Sequence, residues 1–140
     1  MLKTSKFNEY KTENDIDVYI NNTDKFKTNY IHLDIVRPLS DENEVSKNAL
    51  IPYILYRGSK KYPTNQDISH RLDELYGADL NVSVARRGEN QLLRFSIEVI
   101  NDRYVDYKES LTKKAVDCLY EIVSNPLLDE KDFHKEYINK

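Results

Sequence analysis

The sequence predicts an α+β domain in which a largely antiparallel sheet carries helices packed on one face. Three observations predict it. Ile16, Val18 and Ile20, then Ile31, Leu33 and Ile35, then Leu80, Val82 and Val84, then Leu93, Phe95, Ile97 and Val99 each alternate with other residues at a period of two, the mark of strands with one buried face. Other stretches repeat apolar residues at helical spacing. The order is strand, strand, helix, helix, strand, strand, helix, helix, without the regular strand-helix alternation of a parallel sheet.

Taken in order, residues 1–14 are polar and mixed in charge and read as a loosely held lead-in. The strand at 15–20 and the strand at 30–36 are separated by Asn21-Asn-Thr-Asp24, a turn composition, so they are expected to pair as a hairpin. Pro38 ends the second strand, and Asp41 followed by Glu44 opens a helix whose Val45, Ala49, Tyr53 and Tyr56 share an inner face, with Gly58 as its stop. Thr64 and Asp67 open the next helix, with Ile68, Leu72, Leu75 and Tyr76 on its apolar stripe and Gly77 at its end. Arg87-Gly88-Glu89-Asn90 turns one alternating strand into the other. A long helix from about 103 to 124 buries Leu111, Ala115, Cys118, Leu119 and Ile122, and Asn125-Pro126 terminates it. Residues 129–140 read as a further helix without a stop signal, so the chain is expected to be the N-terminal part of a longer domain.

A length of 140 residues suits one domain with a sizeable core. Net charge is -3, and Lys and Arg are dispersed among Asp and Glu. No basic stripe is available to grip a phosphate backbone, which argues against nucleic acid as a partner. No run approaches the about 18 uninterrupted apolar residues of a membrane span, and the first residues lack an apolar signal core. Cys118 is the single cysteine and has no internal partner for a disulfide. A reducing, cytoplasmic setting is the expectation.

The chemistry-bearing stretch is Asn48-Ala-Leu-Ile-Pro-Tyr-Ile-Leu-Tyr-Arg-Gly-Ser-Lys-Lys-Tyr-Pro63. Its end, Gly58-Ser-Lys-Lys-Tyr-Pro63, resembles the Gly-Thr-x-x-Tyr-Pro turn that follows the inverted zinc motif His-x-x-Glu-His in the M16 (insulinase and pitrilysin-like) metallopeptidases. Glu74-Leu-Tyr-Gly-Ala-Asp-Leu-Asn81-Val resembles the family's Glu-x-x-Gly-Gly-x-x-Asn-Ala run. Asn125-Pro-Leu-Leu-Asp-Glu130-x-x-Phe133 is similar to the segment leading toward the third zinc ligand, and Glu136 matches an acidic position near the metal. Within the family the likeness is to inactive bacterial members with a similar Lys-Asn-Ala-Leu-hydrophobic-Pro-Tyr run.

The resemblance places Ala49 at the first His, Pro52 at the Glu and Tyr53 at the second His. Zinc requires imidazole, thiolate or carboxylate donors, and hydrolysis requires a carboxylate to take the proton from metal-bound water. A methyl, a pyrrolidine ring and a neutral phenol supply neither. The resemblance therefore implies an M16 peptidase or LuxS/MPP-like metallohydrolase half-domain, non-catalytic, with no catalytic residue, no metal and no cofactor. It implies a structural or peptide-holding partner of an active zinc M16 subunit in a heterodimer, or else a homodimer. Strand 80–86, through Leu80, Asn81, Val82, Ser83 and Val84, would pair with an extended peptide by its backbone. Arg86 and Arg87 at the hairpin could contact an acidic peptide or a partner, although charged residues beside a turn more often only solubilise. Two rivals are a zinc endopeptidase subunit whose site is completed outside this chain, and an accessory protein of peptide maturation or of elongation factor P modification.

Other chemistry-bearing side chains have ordinary explanations. His32 sits on the polar face of a strand, without a second donor at ligand spacing. His70 and Glu74 stand at i, i+4 on a helix, a spacing that could clip a metal but more often makes a solvated pair. His134 has Glu130 and Glu136 nearby on what reads as an exposed terminal helix. Tyr53 and Tyr56 read as packing or interface aromatics, and Cys118 as an inert buried thiol.

Overall fold

The computed structural model describes residues 7–106, 108–129 and 132–133. The elements are β1 (Asn8–Lys11), β2 (Asp17–Ile20), β3 (Thr28–Pro38), α1 (Glu42–Leu55), α2 (Asn65–Glu74), β4 (Asp79–Arg87), β5 (Asn90–Ile100), a 3-10 turn at Asp102–Tyr104, α3 (Leu111–Ser124), β6 (Leu128–Asp129) and β7 (Asp132–Phe133). β3, β5 and β4 form an antiparallel sheet with β5 in the centre. The α+β architecture expected from the strand and helix periodicities is the one observed.

Register explains where the core lies. Ile31, Leu33 and Ile35 stand opposite Ile97, Phe95 and Leu93, which are opposed on their other side by Leu80, Val82 and Val84. Opposed residues share a face, so the three strands together present one apolar surface. Leu55 of α1, Ile68 of α2 and Leu111, Ala115, Cys118, Leu119 and Ile122 of α3 close over it, and Phe95, Ile97, Leu111 and Ile122 are fully sealed from solvent. The opposite face carries Tyr30, His32, Asp34, Arg94, Ser96 and Glu98.

The caps explain where the helices start. Thr64 and Asp67 satisfy each other's backbone amides at the start of α2, a capping box. Asp41 accepts from the amides of Asn43 and Glu44 at the start of α1. Ser110 accepts from Lys113 N, and the Asp102 carboxylate takes Leu111 N at 2.6 Å together with the hydroxyls of Ser110 and Thr112. Burial pushes the Asp102 carboxyl up, but these donors outweigh it and hold it below its ordinary value. At the end of α2, Leu72 O receives Gly77 N and Ala78 N while Tyr76 and Gly77 take φ of 59° and 71°, the left-handed stop that glycine favours.

Several expectations are corrected. β2 pairs with β1, not with β3. β3 instead aligns with β5 over its whole length, from Thr28↔Ile100 to Pro38↔Asn90, and an eleven-residue ladder outcompetes a four-residue one. Residues 8–11 are therefore a strand rather than a loose lead-in, and Ile16 and Ile20 remain exposed on the β1–β2 hairpin. Gly58 is not a left-handed stop: α1 is capped by Tyr56 in right-handed conformation, and the positive-φ glycines are Gly77 and Gly88. α3 begins at Leu111 rather than near 103, because Asn101 caps a separate 3-10 turn and Ser110 starts the helix anew. The helix read at 129–140 meets β7 at Asp132–Phe133; its remainder lies outside the described residues. Among the described residues no helix is long and apolar enough to cross a membrane.

Candidate functional site

α1 lies across β4 and β5. Gln91 of β5 donates from Nε2 to Val45 O at 2.9 Å and ties the first turns of the helix to the hairpin end of the sheet. Gln91 Oε1 is buried without a partner among the described residues. Ala49, Pro52 and Tyr53 all stand on α1, as the sequence predicts, but they do not share an environment. Pro52 is sealed in the core, Ala49 is half-buried, and Tyr53 is 51% exposed. The expectation that Tyr53 joins Val45, Ala49 and Tyr56 on the inner face is corrected. The buried line runs through Pro52 and Leu55, and a neighbour turned about 100° from Pro52 rotates toward solvent. Tyr56 is half-buried and packs against the core.

These positions do not fit a zinc ion. The donor set is a methyl, a ring without a lone pair and a phenol facing solvent, and among the described residues no three His, Cys, Asp or Glu side chains are grouped to hold a metal. His70 and Glu74 are both exposed, and Glu74 is taken by Arg71 Nη1 at 3.0 Å instead. His134, Glu130 and Glu136 lie outside the described residues. Burial pushes the Cys118 thiol up to about 11, against the smaller opposing pull of Arg71 and Lys61, so a thiolate nucleophile is absent there at neutral pH.

The edge of β4 is better suited to a role. A two-residue turn, Gly88-Glu89, joins Arg87 to Asn90, with Gly88 at φ 59°, the pattern of a type II′ turn. In such a hairpin the closing pair exchanges both hydrogen bonds, and the exchange recurs at every second pair. Asp79, Asn81, Ser83, Ala85 and Arg87 therefore bond to β5. The bonds Leu39 N to Glu89 O and Asn101 N to Lys27 O, both 2.8 Å, fix the complementary phase on the β3 side of β5. Leu80, Val82, Val84 and Arg86 thus direct their amides and carbonyls to the open edge while the side chains of Leu80, Val82 and Val84 point into the core face. Among the described residues no strand pairs with that edge. Asn81 turns its amide to Asp79 at 2.8 Å, Ser83 is exposed on the outer face, and Arg86 Nε braces its own turn by donating to Gly88 O at 3.2 Å, beside an exposed Arg87.

Sequence reasoning missed a polar cluster on the outer face. Arg94 holds Asp34 through a bidentate pair at 2.7 and 2.8 Å. His32 Nε2 stands 3.7 Å from the same carboxylate, and Tyr30 meets the imidazole edge-on at 5.6 Å. The hydrogen bond from the Arg94 guanidinium to Asp34 is the largest cause of the raised pKa of that arginine, and desolvation opposes it. The signal needed to find this cluster was the β3–β5 pairing, which the sequence analysis assigned to a different partner.

No family model matches the chain. Over 135 residues, 96% of its length, it is 32% identical to a Bacillus subtilis (strain 168) protein named "Probable inactive metalloprotease YmfF". Its fold matches the crystal structure of a conserved protein from Enterococcus faecalis V583 with a TM-score of 0.82, at 27% identity over 88% of this chain. The chain spans 32% of the first protein and 28% of the second, about a third of either.

Proposed function

We propose that this chain belongs to the M16 (insulinase and pitrilysin-like) peptidase family as a member without the zinc site, and that it holds an extended peptide for a zinc-bearing partner subunit. The likeness to a relative named as an inactive metalloprotease supports the family and the loss of catalysis. The peptide-holding role rests on one observation: the open edge of β4 presents the amides of Leu80, Val82 and Val84. Natural sheets guard exposed edges with charge, proline or a bulge. From Leu80 to Ala85 this edge has no charge and no proline, and backbone pairing with a peptide needs neither metal nor a particular side chain.

The test is peptide binding, followed by fluorescence polarisation with a labelled extended peptide recovered with the protein from its native lysate. Val82→Pro removes one outward amide, which an edge strand tolerates, so the fold survives and binding falls. Ser83→Pro removes an amide bonded to β5 and destabilises the hairpin instead. Undiminished binding by a folded Val82→Pro variant would sink the proposed mode, and tight stoichiometric zinc in the wild-type chain would sink the non-catalytic reading.

A further inference from the structure

α2, the α1–α2 turn and the first turns of α3 line a half-open cavity of about 360 Å³. It is lined by Lys61, Arg71, Lys113 and Lys114 against only two carboxylates, those of Glu109 and Asp117. Glu74, which holds Arg71, lies just outside this lining, so the walls themselves carry more cations than carboxylates in a chain of net charge -3 and favour an anion.

Lys114 is held by Glu109 at 2.7 Å, whereas Arg71, Lys61 and Lys113 each keep a donor for a further acceptor. Arg71 gives Nη1 to Glu74, but its Nε is buried with no acceptor among the described residues. An unsatisfied buried donor costs about 1–3 kcal/mol, so an acceptor that reaches it is favoured. The Lys61 ammonium lies 5.6 Å from the Tyr62 ring centre and has no carboxylate within ion-pair distance among the described residues. Lys113 meets Asp117 at 3.5 Å with both side chains mostly exposed, a contact that contributes little and exchanges readily. The amides at the start of α3 are already taken by Asp102 and Ser110, so the recognition falls to side chains arriving from three separate elements.

We propose that this cavity binds a small phosphate-bearing molecule, with Arg71, Lys61 and Lys113 as its ligands. A planar carboxylate offers two oxygens and one charge. A phosphate monoester offers three oxygens and close to two charges at neutral pH, which suits cations arriving from three directions.

The experiment is a titration of the whole chain with inorganic phosphate at fixed ionic strength, read by amide chemical shifts, with sulfate and a hexaglutamate peptide as separate arms. Saturable phosphate binding is expected, shifting resonances of Lys61, Arg71 and Lys113. Lys61→Ala and Lys113→Ala, both at exposed positions, each weaken it by about tenfold. Affinity falls as pH drops through the second pKa of inorganic phosphate and the dianion protonates, whereas sulfate binding in the same range does not. Absence of saturation, binding indifferent to both lysine variants, or tighter binding of hexaglutamate than of phosphate would overturn the assignment. Arg71→Lys, which keeps the charge but loses the Nε donor, separates loss of the ligand from loss of the fold when thermal melting is measured alongside.

Discussion

α1 and α3 are the same length, fourteen residues each, and both begin at a capped N-terminus, yet they answer to different demands. α3 spaces Leu111, Ala115, Cys118, Leu119 and Ile122 along one stripe, and every one of them is buried. α1 buries only Pro52 and Leu55 fully, leaves Leu50 58% and Tyr53 51% exposed, and carries a proline in its interior. Exposed apolar side chains do not separate the two, since α3 leaves Tyr120 60% and Val116 44% exposed; the difference is the interior proline at the most buried point of α1, which helix packing alone does not call for. The contrast teaches that the core alone explains the buried stripe of α3, whereas it does not explain the proline of α1.

The largest test of that contrast is truncation. Ile122→Ala in α3 is expected to lose about 2–5 kcal/mol, since its side chain is wholly enclosed. Leu50→Ala in α1 is expected to stay within about 0.5 kcal/mol of wild type. Urea unfolding of both variants decides it, and similar losses would erase the distinction.

The next effect concerns the two helix starts. Asp102→Ala is expected to cost about 1–2 kcal/mol, by analogy with the loss of an N-cap, and Asp41→Ala about 1 kcal/mol. The folded pKa of Asp102 is depressed. Its contribution is therefore complete above the ordinary aspartate value of about 4 and is lost as pH falls through the lower folded value. Acid unfolding of wild type and Asp102→Asn should converge at low pH and separate above about pH 4. Parallel curves through that range would contradict the assigned role.

The smallest effect is Pro52→Ala. Restoring a helical residue gains about 3 kcal/mol. Loss of two buried methylenes takes back about 1.6 kcal/mol, and the freer unfolded chain takes back about 0.4–1 kcal/mol. A net stabilisation on the order of 0.5 kcal/mol is expected, read as a small rise in melting temperature. Destabilisation by more than about 1 kcal/mol would mean that the ring is needed for packing and that α1 is a core helix after all.

Local signals were legible in the sequence where a single element carried its own evidence. The stripe of α3, the reciprocal cap of Thr64 and Asp67 and the Gly88-Glu89 hairpin all follow from residues within one or two turns of each other. Pairing over longer range was not legible. Ile16, Val18 and Ile20 alternate as cleanly as Ile31, Leu33 and Ile35, yet only the latter meet β5, because the choice is made by the length of the ladder available elsewhere. The same holds for the candidate site. That Ala49, Pro52 and Tyr53 lack metal donors is visible in their names, but the exposure of Tyr53 depends on which line of α1 the sheet selects. The Asp34–Arg94 pair, sixty residues apart, required the β3–β5 register.

The phase of the β4 edge leaves a signature that can be read one proton at a time. The amides of Leu80, Val82 and Val84 should trade their hydrogens with deuterated solvent quickly, and those of Asn81, Ser83 and Ala85 slowly, so protection along the strand should rise and fall with every residue. A bound peptide strand would flatten that sawtooth by slowing the fast members alone, which makes occupancy of the edge measurable without any label on the ligand.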